Sequence, residues 1–499
     1  QNAELQDYYK MKPDMLLEQL ERLARRKMHK LKDLLEYALT IENLLKMAMI
    51  LLRSRANIPV VCCGEAGCGK TSLISFLSMV MEVNFRALNL HAGVHESDIL
   101  EFMEKATELA RESETWIFLD EINTCDHIGM LGSLISHRLL NGKQIHPNIR
   151  IFAACNPYRL RAKAQSNVGL SARLYEEKGK LVYQVHPMPD QILDYVWDYG
   201  HLKAEDERNY IEIMVKTQLN HPFFAELLCA SQAFIRDVEE PFSVSLRDAK
   251  RAIKLFKFFK DKFNKLNSTQ NSGILETRSL VLALSLCYLF RLHDQSQRKE
   301  YRKKMINIIG KYQTINDEPR NRYRQDKDFF ERIISLEQDN YISRMRCPEG
   351  TAANEALLEN ILVMIVCIQT RIPVFIIGAP GSSKSLAVRI ISMNLRGADS
   401  NDPYFRKLPQ VYMIPYQGSS SSTSDGITKV FQSAQNYQHT SSKENPVTAV
   451  VLLDEVGLAE TSPYNPLKVL HALLEPPLGS KSSEPAVPVI GISNWRLDN

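Results

Sequence analysis

The sequence predicts an α/β fold built from two repeated units, each a parallel sheet flanked by helices. Short apolar runs of four to six residues alternate with helical patterns, as expected for buried parallel strands covered on both faces. The second observation is an internal repeat, because "IPVVCCGEAGCGKT" at 58–71 aligns without a gap with "IPVFIIGAPGSSKS" at 372–385. Such self-similarity indicates a duplicated structural unit.

Two further landmarks follow in the same order in both copies. The segment "TWIFLDEIN" at 115–123 corresponds to "AVVLLDEVG" at 449–457, and "IFAACNP" at 151–157 corresponds to "VIGISNW" at 489–495. The landmarks predict the same order of elements in each copy. A strand, a glycine-rich loop and a helix come first, then a strand and a helix, then a strand that ends in acidic residues, and finally a helix and a strand. We expect both units to be nucleotide-binding cores.

The composition narrows the class of protein. A length of 499 residues suggests about three domains, and 44% apolar with 24% charged residues is typical of a globular chain. A formal net charge of +4 gives no indication of nucleic-acid binding, so nucleic acid is an unfavoured partner. The nine cysteines form no C-x-x-C pair, and no apolar run reaches the ~20 residues of a membrane span. We expect reduced thiols, a cytosolic location, no transmembrane segment, and ends cut from a longer protein.

The first glycine-rich loop, "GEAGCGKT", has the full pattern of a phosphate-binding loop. Gly64, Gly67 and Gly69 let the backbone turn tightly, so that successive N–H groups face the phosphates of ATP. Lys70 is predicted to reach the β- and γ-phosphates, and the Thr71 hydroxyl to bind Mg²⁺.

The second loop, "GAPGSSKS", departs from the pattern at one position. Gly378, Gly381, Lys384 and Ser385 are retained, but Ser383 replaces the last glycine. A side chain there can strain the loop, whereas serine is small and still presents its N–H group. We predict a working ATP site with Ser385 on Mg²⁺, and the effect of Ser383 on affinity stays open.

An acidic pair closes the next strand in both copies. Asp120 and Asp454 are predicted Mg²⁺ ligands, and Glu121 and Glu455 are predicted to polarise the water that attacks the γ-phosphate. A solvated acidic pair at a strand end is the alternative, but its recurrence after each loop lysine favours a site.

Asn156 and Asn494 end the strands that follow and are predicted to orient that water by hydrogen bonding. A turn-forming asparagine is the alternative for Asn156, and the match between the two copies favours the functional interpretation.

One arginine is a candidate outside the repeated landmarks. In "PFSVSLRDAKRAIKLFKFF" at 241–259, Ser245 and Asp248 predict a capping box and place Arg247 in the exposed first turn of a helix. Arg247 is either a surface arginine or a cation that reaches the γ-phosphate from a helical lid.

On these motifs the sequence resembles AAA+ ATPases, with Walker A, Walker B, sensor 1 and, in the first copy, sensor 2. The "PGSSKSL" loop and the helix "ALTIENLLKMAMILLR" resemble most the mysterin family, giant RING-type E3 ubiquitin ligases with a dynein-like AAA+ core. The resemblance implies tandem AAA+ P-loop NTPase modules, α/β in class, with a helical lid and helical linkers.

The resemblance also implies a division of the chain into five parts. These are a helical connector (1–43), the first large α/β subdomain (44–187), its helical lid (188–262), a helical linker (263–345), and a second large subdomain truncated after sensor 1 (346–499). A serine-rich tract at 417–426 is expected to be a flexible loop.

By resemblance the chain is an ATP-hydrolysing segment of an E3 ligase whose ligase part lies elsewhere. Its partners would be neighbouring AAA+ modules that complete the sites, with Arg173 one candidate arginine finger beside Arg138, Arg159 and Arg161. A ubiquitin-conjugating enzyme and ubiquitin would bind the full-length protein, whose recruitment to a lipid surface stays open. The alternatives are a nucleotide-gated scaffold with little turnover and a midasin- or dynein-like remodelling motor without ligase activity.

Overall fold

The computed structural model forms two compact units that divide between Thr217 and Gln218. We describe each unit by itself. The structure describes residues 11, 13–25, 37, 39–65, 67–157, 185–200, 204–219, 221–239, 243–266, 272–311, 328–441, 446–474 and 487–494.

The first unit is built around a parallel sheet. Its strands are β1 (Val60–Gly64), β2 (Asn84–Asn89), β3 (Thr115–Asp120), β4 (Leu139–Leu140), β5 (Lys143–Gln144), β6 (Ile149–Cys155) and β7 (Val196–Gly200). Among the described residues five of them pair in the order β2-β3-β6-β1-β7, and β4 and β5 form a small antiparallel hairpin. The carboxyl ends of β1, β3 and β6 therefore meet at one edge of the sheet.

Helices cover both faces of this sheet. The helices that precede strand β7 are α1 (Pro13–Ala24), α2 (Ile41–Arg55), α3 (Lys70–Met81), α4 (Glu96–Glu112), α5 (Ile128–His137) and α6 (Asp190–Leu193), and α7 (Ala204–Leu219) follows that strand. Successive residues of β3 alternate between two buried cores: Ile117 packs with α4 and α5, whereas Trp116 and Phe118 pack with α2 and α3. Because both faces are covered, the central strands β1, β3 and β6 are mostly apolar and buried.

Two features of the first unit add to the sequence analysis. The N-terminal helix α1, inside the range predicted as a helical connector (1–43), packs on this unit, because Leu16 and Leu20 are buried in the same core as α2 and α3. Strand β7 lies inside the range predicted as lid, 188–262, yet it pairs with β1 through Val61 and Val196. Apart from the single-turn helix α6, the described helices of that range begin at Ala204, after the β-prone edge strand "VWDYG".

The second unit contains a helical part and a second sheet. Its helices are α8 (Pro222–Val238), α9 (Leu246–Leu266), α10 (Ser272–Cys287), α11 (Gln295–Ile309), α12 (Phe329–Ile342), α13 (Glu355–Thr370), α14 (Lys384–Asn394), α15 (Pro403–Arg406), α16 (Ser424–His439), α17 (Val456–Glu460) and α18 (Val469–Leu474). Its strands are β8 (Val374–Ile377), β9 (Gln410–Gln417), β10 (Val447–Asp454) and β11 (Val489–Ser493).

The second sheet repeats the topology of the first. Its described strands are parallel and pair in the order β9-β10-β11-β8, which matches β2-β3-β6-β1. The predicted α/β class with tandem P-loop modules is confirmed. The serine-rich tract forms a loop only up to Thr423, because Ser424 begins α16 and the Thr423 hydroxyl accepts a hydrogen bond from the N–H of Gly426 at 3.2 Å.

The start of α9 is the predicted capping box. The N–H of Ser245 donates to Asp248 Oδ2 at 2.9 Å, and the N–H of Arg247 donates to Ser245 Oγ at 3.3 Å. Ile253 and Phe256, on one side of this helix, are buried and each 1% exposed. Arg247 is exposed on the first turn, as predicted.

One described helical stretch, Gly273–Arg291, has the length and composition of a membrane span. Two thirds of its apolar window, 67%, is buried within the structure, as in a core helix. Near it, Lys262 of α9 pairs with Glu337 of α12, and Arg278 of α10 lies 3.8 Å from the same carboxylate. The stretch therefore packs as part of the helical core of the second unit.

Candidate functional site

The first glycine-rich loop joins β1 to α3 and needs its glycines for two reasons. Gly67 and Gly69 have φ of 77° and 90°, in the left-handed region that favours glycine. At Gly64 a β-carbon would lie 3.0 Å from the Gly200 carbonyl oxygen and 3.2 Å from Cys68 Sγ. The loop therefore turns sharply just before Lys70, the first residue of α3, and so ends at a helix N-terminus.

The Lys70 side chain lies in the concavity of this loop. It is 7% exposed, and its ammonium donates hydrogen bonds to the carbonyl oxygens of Gly64 and Glu65, the latter at 3.0 Å. A third hydrogen bond, at 3.3 Å, reaches Oδ1 of Asn156. The predicted loop lysine and sensor asparagine are thus brought together.

Thr71 and Asp120 form the pair expected of a magnesium site. The Thr71 hydroxyl donates to Asp120 Oδ2 at 2.7 Å, and the N–H of Glu121 donates to Asp120 Oδ1 at 3.0 Å. Burial raises the pKa of Asp120, and the hydrogen bond from Thr71 acts in the opposite direction. A cation would offset this desolvation, so the hydroxyl and carboxylate fit Mg²⁺.

The two candidate catalytic glutamates share an unusual backbone conformation. Glu121 has φ 55° and Glu455 has φ 51°, which is uncommon for residues other than glycine. Each directly follows the aspartate that ends a central strand. Backbone strain of this kind is common at functional sites, and its repetition at equivalent positions supports the prediction for both glutamates.

Asn123 is a site residue that the sequence analysis missed. It lies in the 3₁₀ helix Ile122–Thr124, is 1% exposed, and its Nδ2 donates to the main-chain oxygen of Asn156 at 2.8 Å. The N–H of Asn156 donates back to Asn123 Oδ1 at 3.4 Å. In the sequence only the asparagine that ends "DEIN" could have indicated this role. The second copy has glycine at that position, so the repeat did not point to it.

The second loop keeps the same shape despite its serine. Ser383 has φ 60° and ψ 15°, close to the φ 90° and ψ 15° of Gly69, and each residue immediately precedes its helix. Gly381 also has a positive φ, 84°. Ser383 therefore adopts the loop conformation at the cost of some strain, which for a non-glycine residue is about 1 kcal/mol.

Lys384 is held in its loop as Lys70 is. It is 5% exposed and donates to the carbonyl oxygens of Gly378 and Ala379 at 2.6 and 3.0 Å, and to Ser382 Oγ at 3.1 Å. Burial lowers the pKa of Lys384, and the charges of Glu455 and Asp454 oppose that effect. Bound phosphates would oppose it further.

The sensor asparagine of the second unit has a different contact. Asn494 Nδ2 donates to Glu455 Oε1 at 2.5 Å. The N–H of Glu455 donates to Asp454 Oδ1 at 2.9 Å, as in the first site. Ser385 and Asp454 occupy positions equivalent to Thr71 and Asp120, and their hydroxyl and carboxylate are suitable Mg²⁺ ligands.

Two more residues of the second site were not predicted. Asn360 of α13 donates from Nδ2 to the Ser382 carbonyl oxygen at 3.0 Å and so supports the loop. Gly418 follows β9, where a β-carbon would lie 2.3 Å from the Glu455 carbonyl oxygen. Its N–H donates to the Asp454 carbonyl oxygen at 2.8 Å. Neither residue belongs to a repeated motif.

The predicted arginines divide into three cases. Arg247 lies on α9 of the second unit, and its role toward the first site stays a prediction. Arg138 donates to Asn57 Oδ1 and to the Ile149 carbonyl oxygen, both at 3.0 Å, at the opposite end of β6 from Asn156. Arg173, the named candidate for the arginine finger, lies outside the described residues, as do Arg159 and Arg161.

Comparison with known families matches both regions of the chain that contain these loops. Two models described as "RNF213 AAA domain" match the chain, one over residues 37–159 and the other over residues 350–499. The chain belongs to the family of RNF213 AAA domains. Each matched range contains one complete loop, acidic strand end and sensor asparagine, so the predicted mysterin resemblance is confirmed.

Curated relatives extend the match across the chain. It is 34% identical to human "E3 ubiquitin-protein ligase RNF213" and 33% identical to the protein of the same name from Mus musculus, in each case over 93% of this chain. It is also 33% identical, over the same share, to "E3 ubiquitin-protein ligase rnf213-beta" of Danio rerio. The chain spans about a tenth of the length of these relatives, 10% in each case.

Proposed function

We propose that both units bind Mg·ATP and hydrolyse it. The observation that carries this proposal is the cluster at the first sheet edge, where Lys70 lies in the loop and the Thr71 hydroxyl contacts Asp120 at 2.7 Å. The same residue types recur at the second edge with Lys384 in an equivalent loop.

In the first site each residue has a defined task. The loop N–H groups and Lys70 bind the phosphates, and Thr71 and Asp120 hold Mg²⁺, which when bound neutralises charge on the β- and γ-phosphates. Glu121 accepts a proton from the attacking water, and Asn156 orients that water toward the γ-phosphate. Lys384, Ser385, Asp454, Glu455 and Asn494 perform the same tasks in the second site.

Two further contributions belong to the proposal. Arg247 binds the γ-phosphate of the first site from the helical lid, and neighbouring modules of the same protein complete each site in trans. Guanidinium groups suit this role, because they bind phosphate oxygens in pairs and stay charged.

For the full-length protein we propose E3 ubiquitin ligase activity, controlled by the ATP state of this segment. The names of the relatives support this proposal. A ubiquitin-conjugating enzyme and ubiquitin would be its partners, and the cytosol its location. The contact of Glu455 with Asn494 favours a slowly cleaving second site, so a nucleotide-gated scaffold is the second candidate function for that unit.

The test replaces each catalytic glutamate in the full-length protein. Glu121→Gln and Glu455→Gln together should lower ATP turnover about 100-fold or more, since loss of a general base costs roughly 10²- to 10⁴-fold. ATP affinity should stay unchanged. Unchanged turnover in the double variant would overturn the hydrolysis proposal, and ubiquitin-chain formation assayed on the same variants separates a ligase from a remodelling motor.

A further inference from the structure

We propose that Asn123 is a positioning residue for hydrolysis at the first site: it holds the sensor residue Asn156 in register with the turn that carries Glu121. This inference rests on the proposed ATPase function and deepens it. It assigns a role to a buried amide that contacts neither the loop nor the acidic pair directly.

The geometry of the contact is two-sided. Asn123 Nδ2 donates to the main-chain oxygen of Asn156 at 2.8 Å, and Oδ1 of the same amide accepts from the Asn156 N–H at 3.4 Å. Only a side chain with a donor and an acceptor on one short stem can make both bonds. Aspartate lacks the donor, and alanine or glycine lacks both groups.

The two hydrogen bonds of Asn123 connect the ends of two strands whose residues are proposed to act together in hydrolysis. Glu121 follows β3, whereas Asn156 follows β6, and Asn123 lies only two residues beyond Glu121. With the Asn156 main chain fixed, its side-chain Oδ1 lies 3.3 Å from the Lys70 ammonium. The sensor amide is therefore held toward the phosphate end of the site.

Thr124 ties the same turn to the strand on its other side. Its hydroxyl is buried and lies 2.9 Å from the carbonyl oxygens of both Leu90 and Glu121. The turn that carries Glu121 is thus bound to the chain after β2 and to the end of β6. Such bracing can maintain the strained left-handed conformation of Glu121.

The second unit lacks both bracing side chains. Gly457 replaces Asn123, and Leu458, which is 36% exposed, replaces Thr124. There the sensor is held instead by the glutamate itself, because Asn494 Nδ2 donates to Glu455 Oε1 at 2.5 Å. One carboxylate oxygen of the proposed general base is occupied by that contact. A structural side chain positions the sensor in the first site, and the catalytic side chain does so in the second.

The test isolates the first site in the full-length protein carrying Glu455→Gln. In that background Asn123→Gly, which imports the residue of the second unit, should lower kcat for ATP about 10-fold. The KM for ATP and the Kd for a fluorescent ATP analogue should change less than about 2-fold, because a positioning role acts on the transition state rather than on binding. Asn123→Ala, which is a better helix former, should give the same result.

Two controls accompany these variants. Asn84→Ala removes an asparagine whose Nδ2 donates to Ser113 Oγ at 2.8 Å, at the opposite end of the sheet, and should leave kcat within about 2-fold. Thr124→Ser keeps the bracing hydroxyl and should also be near native.

The outcomes separate the inference from the function beneath it. If Glu121→Gln in the same background does not lower turnover, the proposed ATPase function fails. If Glu121→Gln lowers turnover but both Asn123 variants leave kcat within 2-fold, the positioning role alone is overturned. Loss of ATP binding in proportion to kcat in both variants would also overturn it, because Asn123 would then be purely structural.

Discussion

The two sites share the conformation of their loops but differ in how the residues behind them are held. Gly69 and Ser383 both precede their helix in the left-handed region, and both lysines donate to two loop carbonyl oxygens. The sensors differ, because Asn156 contacts Lys70 whereas Asn494 contacts Glu455. The features proposed to bind phosphate are therefore retained in both copies, whereas the contacts of the residues proposed for hydrolysis have diverged.

The sheet beneath the sites shows the same divergence in its packing. In the first unit Val61 of β1 pairs with Ala153 of β6, and at the equivalent positions of the second unit Phe375 pairs with Gly491. A β-carbon at Gly491 would lie 2.2 Å from the Phe375 ring. The larger residue on one strand is accommodated by the smaller residue on the next, so the strand spacing is preserved.

The largest effect should come from breaking this matched pair. Gly491→Ala should destabilise the second sheet by about 1–3 kcal/mol, the usual range for an overpacked core. The double change Phe375→Val with Gly491→Ala restores the pair of the first unit and should recover most of that loss. Hydrogen exchange of the strand at 374–377 in the intact protein measures both effects.

The matched control is Ala153→Gly in the first unit. It should change hydrogen exchange only in the sheet of the first unit. Equal protection of strand 374–377 in Gly491→Ala and in the native protein would show that the two residues do not compensate each other.

A smaller effect, on ATP affinity, should follow from exchanging the residue that directly precedes the loop lysine, which is glycine in the first loop and serine in the second. Ser383→Gly should tighten ATP binding at the second site, and Gly69→Ser should weaken it at the first. Each change is expected to be roughly 5-fold, since left-handed strain in a non-glycine residue is worth about 1 kcal/mol. No atom lies within 4 Å of a β-carbon built at Gly69, so strain rather than a clash sets the size.

Fluorescent-nucleotide titration of each variant, with the lysine of the other site changed to alanine, measures this exchange. Complete loss of binding in Gly69→Ser would contradict the view that serine is tolerated there.

The repeat made most of this fold and site predictable. Aligned landmarks predicted the order of strands, loops and helices along the chain in both units, and each candidate site residue follows a predicted buried strand or glycine-rich loop. The motifs alone were sufficient to predict that three side chains lie together in the first site, namely those of Lys70, Thr71 and Asp120. The capping box at Ser245 was equally local, because it depends on two residues three apart.

The remaining features depended on tertiary contacts. Asn123 and Asn360 act through main-chain atoms more than 20 residues away, so their spacing carries no local signal. Gly418 is required by the close approach of another strand end, which its serine-rich surroundings concealed. Strand β7 was assigned to the lid, because a short edge strand after a long connection has no periodic pattern to reveal it.

The most direct test of the account is phosphate release from each site alone. In the full-length protein, Lys384→Ala leaves the first site and Lys70→Ala leaves the second, and single-turnover hydrolysis of γ-labelled ATP is followed in each. We expect both single variants to release phosphate, more slowly from the second site, and the double variant to release about 100-fold less than either. Bound ATP without phosphate release in Lys70→Ala would contradict a working second site, and undiminished release in the double variant would contradict both.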